Sequence, residues 1–172
     1  MATKYKLQEI YHLQESKIFV DTNILIYIFW PTNSYNEKVY SKALSGLLKQ
    51  GNKLYINFLV ISEAINRMIR IEYSKNSYFT NFKDYRDSND GKQALEDIYT
   101  IIKDDILNRF KIIDKGFNKE EIEKFLIVED IDIIDKAIVN VCKENDMILL
   151  THDGDFKNTN INILSNNKYM FN

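Results

Sequence analysis

Two short apolar runs, Ile18-Phe19-Val20 and Met147-Ile148-Leu149-Leu150, each end in a turn that carries an acid. The first leads into Asp21-Thr22-Asn23 and the second into Thr151-His152-Asp153. A strand with one wet face alternates apolar and polar residues, whereas a strand that is apolar throughout is covered on both faces. Segments with helical spacing fill the intervals between such runs, and strands separated by helices pack as a parallel sheet. The expected fold class is therefore α/β, with a central parallel sheet flanked by helices in three α/β/α layers.

Along the chain, Lys17–Val20 reads as a strand and residues 23–30 as a helix that Pro31 stops. Tyr35 to Lys49 is helical, Gly51-Asn52 breaks it, and Leu54 to Asn57 is a strand. Phe58 to about Lys75 is a long helix with an apolar residue every three to four positions. Residues 76–92 turn polar and aromatic and read as an insertion or cap within one domain spanning residues 1–172. Beyond them come a helix from about Gln93 to Asn108, a strand at Phe110–Ile113, and helices at Lys119–Phe125 and Asp132–Asn145. Strands at Met147–Thr151 and Ile161–Leu164 close the pattern.

Composition narrows the function classes. With 172 residues, 45% of them apolar, the chain can bury one sizeable core. Twenty-three Lys and Arg against twenty-five Asp and Glu give a net charge of -2, so a protein that coats nucleic acid by bulk charge is disfavoured. The single cysteine, Cys142, excludes an internal disulfide and a Cys-rich zinc cluster, and a cytoplasmic protein is expected. The polar, amphipathic N-terminal stretch lacks the apolar region of a secretory signal and is expected to be retained. The longest apolar run, Ile24 to Trp30, falls short of the roughly 20 residues that span a bilayer, so no membrane segment is expected.

Topology brings the acids together. Asp21 follows the first strand, and Asp153 lies just past the strand ending at Leu150-Thr151, so both belong to the carboxyl edge of a parallel sheet, where ligands bind in open α/β folds. The helix from Asp132 runs antiparallel to the strand it feeds, which returns Asp135 to the same edge. Glu63 lies roughly 8 Å along the helix that starts there, at 1.5 Å per residue. Four clustered carboxylates repel one another unless cations bind among them. All-oxygen donors favour Mg²⁺ or Mn²⁺ over Zn²⁺, and such ions activate water for attack on a phosphodiester.

Each residue also has a plainer reading. Asp21 is a natural helix N-cap, Glu63 and Arg67 form an ordinary i,i+4 pair, and Asp-Gly at 153–154 is common turn chemistry. Asp135 shares a face with Ile138, Val139 and Cys142, while Lys136, Asn140 and Lys143 are assigned to the solvent side; an Asp132–Asp135 capping arrangement is its alternative. Asn23, Thr22 and Thr151 can orient the acids or metal-bound water, or simply cap backbone groups. His152 is read as a solvated turn histidine. Tyr73, Tyr78, Phe79, Phe82 and Tyr85, interleaved with Lys75, Lys83 and Arg86, either stack nucleic-acid bases or form a helical cap core or dimer face.

Four stretches, VDTNILIY at Val20–Tyr27, SEAINR at Ser62–Arg67, DKAI at Asp135–Ile138 and LLTHDGDF at Leu149–Phe156, resemble the motifs of the PIN-domain family. That family is a metal-dependent ribonuclease fold that includes VapC-type toxins of toxin-antitoxin pairs. The resemblance implies an acidic site on Asp21, Glu63, Asp135 and Asp153, with Asp155 as an additional acid and Asn23 and Thr151 in support. It further implies Mg²⁺ or Mn²⁺ dependence, an RNA substrate, a homodimer, and, for a toxin, a separate antitoxin chain. The chain is longer than the compact toxins, and residues 76–92 have no counterpart in the minimal pattern. The expected activity is endoribonucleolytic, with a non-catalytic protein- or RNA-binding module as the alternative. A phosphatase with an aspartyl nucleophile would want an acid where Asn23 stands, and a phosphoacceptor domain would want an acidic pair where Thr22 follows Asp21.

Overall fold

The structure is a computed structural model and describes residues 2–30, 34–113 and 115–172. Its strands are β1 (Lys4–Lys6), β2 (Lys17–Val20), β3 (Lys53–Ile56), β4 (Lys111–Ile112), β5 (Ile148–Leu150) and β6 (Ile163–Ser165). They form one sheet in the order β1-β6-β5-β2-β3-β4, and every pairing is parallel. The helices are α1 (Thr22–Phe29), α2 (Tyr35–Lys49), α3 (Phe58–Ser74), α4 (Phe82–Asp87), α5 (Asn89–Ile101), α6 (Leu107–Arg109), α7 (Lys119–Phe125) and α8 (Ile133–Asn145). The result is the expected α/β fold with a three-layer α/β/α arrangement. Among the described residues, no helix is long and apolar enough to cross a membrane.

The unbroken apolar strands take the places that require them. β2 and β5 are interior neighbours, and Ile18, Phe19, Val20, Leu149 and Leu150 are wholly buried. Each such side chain contributes roughly 1.5–3 kcal/mol relative to an exposed one. From β2 the chain steps outward to β3 and β4, then returns across β2 to β5 and continues to β6 on the other side. Strand order therefore reverses between β2 and β5. At such a switch point the two following loops part and leave a crevice at the carboxyl edge.

Several segments differ from the sequence reading. The N-terminal stretch contributes β1, an edge strand held on β6 through its backbone, as in the 2.9 Å bond from Ile163 N–H to the Thr3 carbonyl. With lysine at both ends and only three residues, β1 has no apolar pattern to announce it. Residues 76–92 hold α4 and the start of α5, which Ser88 caps by accepting from the Gly91 N–H. The helix expected from Gln93 thus begins at Asn89, and it continues through a π-helical turn (Ile102–Ile106) into α6. Lys136, assigned to solvent, is buried; its ammonium donates to the carbonyls of Phe125 and Ile127 and pairs with Glu129 at 3.0 Å. Pro31, the expected stop of α1, lies outside the described residues; α1 ends at Phe29.

Candidate active site

The end of β2 is tied to the end of β5 by a bond from Asp21 N–H to the Leu150 carbonyl, 3.1 Å. The Asp21 carboxylate is 5% exposed and accepts three hydrogen bonds. One oxygen takes the Thr22 backbone N–H at 2.7 Å; the other takes the Asn23 amide at 2.6 Å and the Thr151 hydroxyl at 2.5 Å. Asp21 is thus the N-cap of α1 as well as the centre of a polar knot. Thr151, fully buried, also accepts from the Asp153 N–H at 2.9 Å, and Asn23 accepts from the His152 N–H at 3.1 Å. These bonds fix the β5 exit loop against the start of α1.

Glu63 joins from α3, where one of its oxygens accepts from the Thr22 hydroxyl at 2.8 Å and the other faces Arg67 at 3.4 Å. Asp153 accepts from the Asp155 N–H at 3.0 Å, which turns the chain into a short 3₁₀ segment, Gly154–Asn158. Asp135 enters in the first turn of α8, its N–H bonded to the capping Asp132 side chain at 2.9 Å. Among the described residues, the Asp135 carboxylate itself has no hydrogen-bond donor.

One cavity of about 280 Å³ is lined by Asp21, Asn23, Glu63, Asp135, Asp153 and Asp155. Thr151 stands behind it. Arg67, Asp132 and Ile134 complete the lining; Arg67 and Asp132 appeared in the sequence only as an i,i+4 partner and a cap, roles they also play. A larger cavity of about 520 Å³ on α8 shares only Asp155 with this group, so the acids converge in the smaller one.

The charges act on one another. Burial raises the Asp21 carboxyl to about 6, against the lowering effect of its Thr151 and Thr22 hydrogen bonds; the charges of Glu63 and Asp153 add to the rise. Asp135 is pushed up to about 8, first by burial and then by the charges of Asp132, Asp21, Asp153 and Glu63. Among the described residues, no three or more Asp, Glu, His or Cys side chains already form a set that could hold a metal ion. The donors are nevertheless all oxygen, they share a cavity, and Arg67 is the one cation among the described residues that line it. That chemistry fits a hydrated Mg²⁺ or Mn²⁺, which binds through one or two carboxylates and keeps its remaining waters.

His152 departs from the solvated turn expected of it. It is half-buried, its Nδ1 lies 2.8 Å from the Tyr40 hydroxyl, and burial lowers its pKa. Tyr40, from α2, is wholly buried and also accepts from the Asn166 N–H at 3.0 Å. No local pattern marks this contact, because the two residues are 112 positions apart.

The family model of the PIN domain matches residues 18–162. Among solved structures, PAE2754 from Pyrobaculum aerophilum is similar with a TM-score of 0.53 at 14% identity, covering 91% of this chain and 94% of that one. FitAcB from Neisseria gonorrhoeae is similar with a TM-score of 0.53 at 16% identity, covering 86% and 96%. VapBC2 from Rickettsia felis, bound to a DNA fragment from its promoter, gives 0.49 at 19%, covering 87% and 98%. No curated protein matches the chain.

Proposed function

This chain belongs to the PIN-domain family, and from that premise we propose that it is a metal-dependent endoribonuclease that hydrolyses RNA phosphodiester bonds at the acidic cavity. The observation that carries the proposal is the convergence of Asp21, Glu63, Asp135 and Asp153, from four separate elements, on one cavity at the sheet's switch point. We assign these four as the residues that hold Mg²⁺ or Mn²⁺, directly or through water, with Asp155 beside them.

When bound, the cation supplies a water activated at neutral pH and positive charge for the phosphate and the leaving oxygen. The chain's own part is orientation. Thr151 and Asn23 pin one Asp21 oxygen and the Thr22 N–H pins the other, so this carboxylate has little freedom to turn. Thr22 holds one Glu63 oxygen toward the cavity. Burial, and after it the charges of Asp132, Asp21, Asp153 and Glu63, raise the Asp135 carboxyl, so positive charge placed among these acids favours its ionised form. Water attacks phosphorus, the bond to the leaving oxygen breaks, and the proton lost by the water passes to solvent or to a carboxylate of the cavity.

A toxin role, with a separate antitoxin chain as partner, follows from the VapC-like motifs and belongs to the same proposal, as do a cytoplasmic setting and a homodimer. Leu126, Ile127 and Val128, the last 97% exposed, give a protein partner an apolar foothold on the loop before α8. The test is cleavage of a mixed RNA pool by purified protein with Mg²⁺ or Mn²⁺, set against EDTA and Asp21→Asn. Cutting that needs metal and disappears in the variant is expected. Equal cutting by wild type and Asp21→Asn would remove Asp21 from the site. Folded wild type that cuts nothing but captures a protein or RNA partner would favour the binding module.

A further inference from the structure

The outward face of α3 carries Glu63, Arg67 and Arg70 in line, while Val60, Ala64, Met68 and Ile69 are buried on the other side. Glu63 and Arg67 line the acidic cavity, and Arg67 is the one cation among its described lining residues. Its guanidinium is half exposed and meets Glu63 only at 3.4 Å, so most of its donor fork is free. Arg70 lies about 10 Å beyond Glu63 along the helix, seven residues at 1.5 Å each.

Arg70 is exposed and lies over the Phe82 ring, 4.3 Å from its centroid. Among the described residues neither Arg70 nor Lys83, which follows Phe82 in the chain, enters an ion pair, whereas Lys75 is tied to Glu72 and Arg86 to Asp87. Arg70 and Lys83 thus keep their charge free of a carboxylate partner, Arg70 one turn of α3 beyond Arg67. Of the other aromatic residues of this region, Tyr85 packs against Tyr73 and Phe79 with ring centroids 5.5–5.7 Å apart, Tyr73 also meets the Phe82 ring at 5.7 Å, and Tyr78 stands 90% exposed. Phe82 supports the guanidinium from beneath and leaves its outer face open. Unpaired bases stack on such guanidinium planes, and phosphates are met by the forked N–H donors.

We propose that this face of α3, continued by the start of α4, is the path along which single-stranded RNA leaves the cavity. Arg67 takes the phosphate beside the scissile one, Arg70 stacks the next base, and Lys83 meets the phosphate beyond it. The proposal rests on the cavity being the site of RNA cleavage, and it assigns residues 76–92 a role in holding substrate.

The test reads binding apart from cleavage. Fluorescence anisotropy of a labelled, mixed-sequence single-stranded RNA of about 12 nucleotides is followed against salt, with Asp21→Asn protein and, independently, with wild type in EDTA. Arg67→Gln and Arg70→Gln, each confirmed folded by thermal melting, are expected to weaken binding several-fold, and Arg67→Gln, which loses a phosphate contact, to flatten the log–log salt dependence by about 0.7. Arg70→Lys keeps the charge and loses the plane, so it is expected to weaken binding with the slope unchanged. Affinities and slopes equal to the parent's in Arg67→Gln and Arg70→Gln would overturn the path, even if the wild type cuts RNA. Weakened binding in Arg67→Gln and Arg70→Gln, with a flattened slope in Arg67→Gln, beside a wild type that cuts nothing would retain the path and remove the nuclease reading.

Discussion

Asp21 is almost wholly buried, yet its carboxyl rises only to about 6, while the more exposed Asp135 rises to about 8. The difference lies in hydrogen bonds: Asp21 accepts three, and the Asp135 carboxylate accepts none among the described residues. A carboxyl whose pKa is higher in the folded than in the unfolded chain makes the folded state bind more protons between the two values. Stability then falls as pH rises through that window, here from about 4 to about 8 for Asp135. Metal-free protein is expected to melt at lower temperature at pH 8 than at pH 5 through these groups. Asp135→Asn should raise the melting temperature at pH 8 and raise it less at pH 5; scanning fluorimetry in EDTA reads both. A variant less stable than wild type at pH 8 would mean that the carboxylate is not under repulsive strain. Thr151→Val removes the donor to Asp21 and the acceptor of the Asp153 N–H, and it should weaken metal affinity roughly 10–100-fold, as loss of a ligand-orienting partner does. A titration with Mn²⁺ measures it.

Elements place these residues, and they differ in how openly the sequence announces them. β2 and β5 were legible because burial on both faces demands unbroken apolar runs, and their position fixed the edge on which Asp21 and Asp153 stand. α8 was legible through its apolar stripe, which singled out Asp135 as an acid on the wrong side. β1 was not, since an edge strand of three residues is set by backbone bonding to β6 rather than by side-chain pattern. Lys136 was misplaced because periodicity shows which face a residue occupies and not whether a loop folds back over it. The turn between α4 and α5 rests on Gly91, where an added Cβ would lie 2.1 Å from the Tyr85 carbonyl oxygen. Gly91→Ala should therefore destabilise by about 1–3 kcal/mol or more, as overpacking does. An unchanged denaturation midpoint would show that α4 can swing away freely.

At the scale of the molecule, the net charge of -2 conceals a separation. Acids gather at the switch-point cavity, and Arg67 and Arg70 follow one another along α3 from its rim outward. Composition alone could not show this, because it counts charges without placing them. That the four acids belong to one sheet edge was legible from strand ends and helix direction, without the strand order. The bonds that orient them, Thr22 to Glu63 and Thr151 to Asp21, join residues 41 and 130 positions apart and needed the folded chain. Binding of a cation between repelling carboxylates is the claim on which the function depends, and it can be tested without knowing the RNA target. Calorimetric titration of Mn²⁺ into wild type and Asp135→Asn at neutral pH is the direct measurement. The account predicts saturable binding to wild type with release of protons, visible as a dependence of the heat on the buffer, and weaker binding with less proton release in the variant. Indistinguishable isotherms, or no binding to folded wild type, would contradict it.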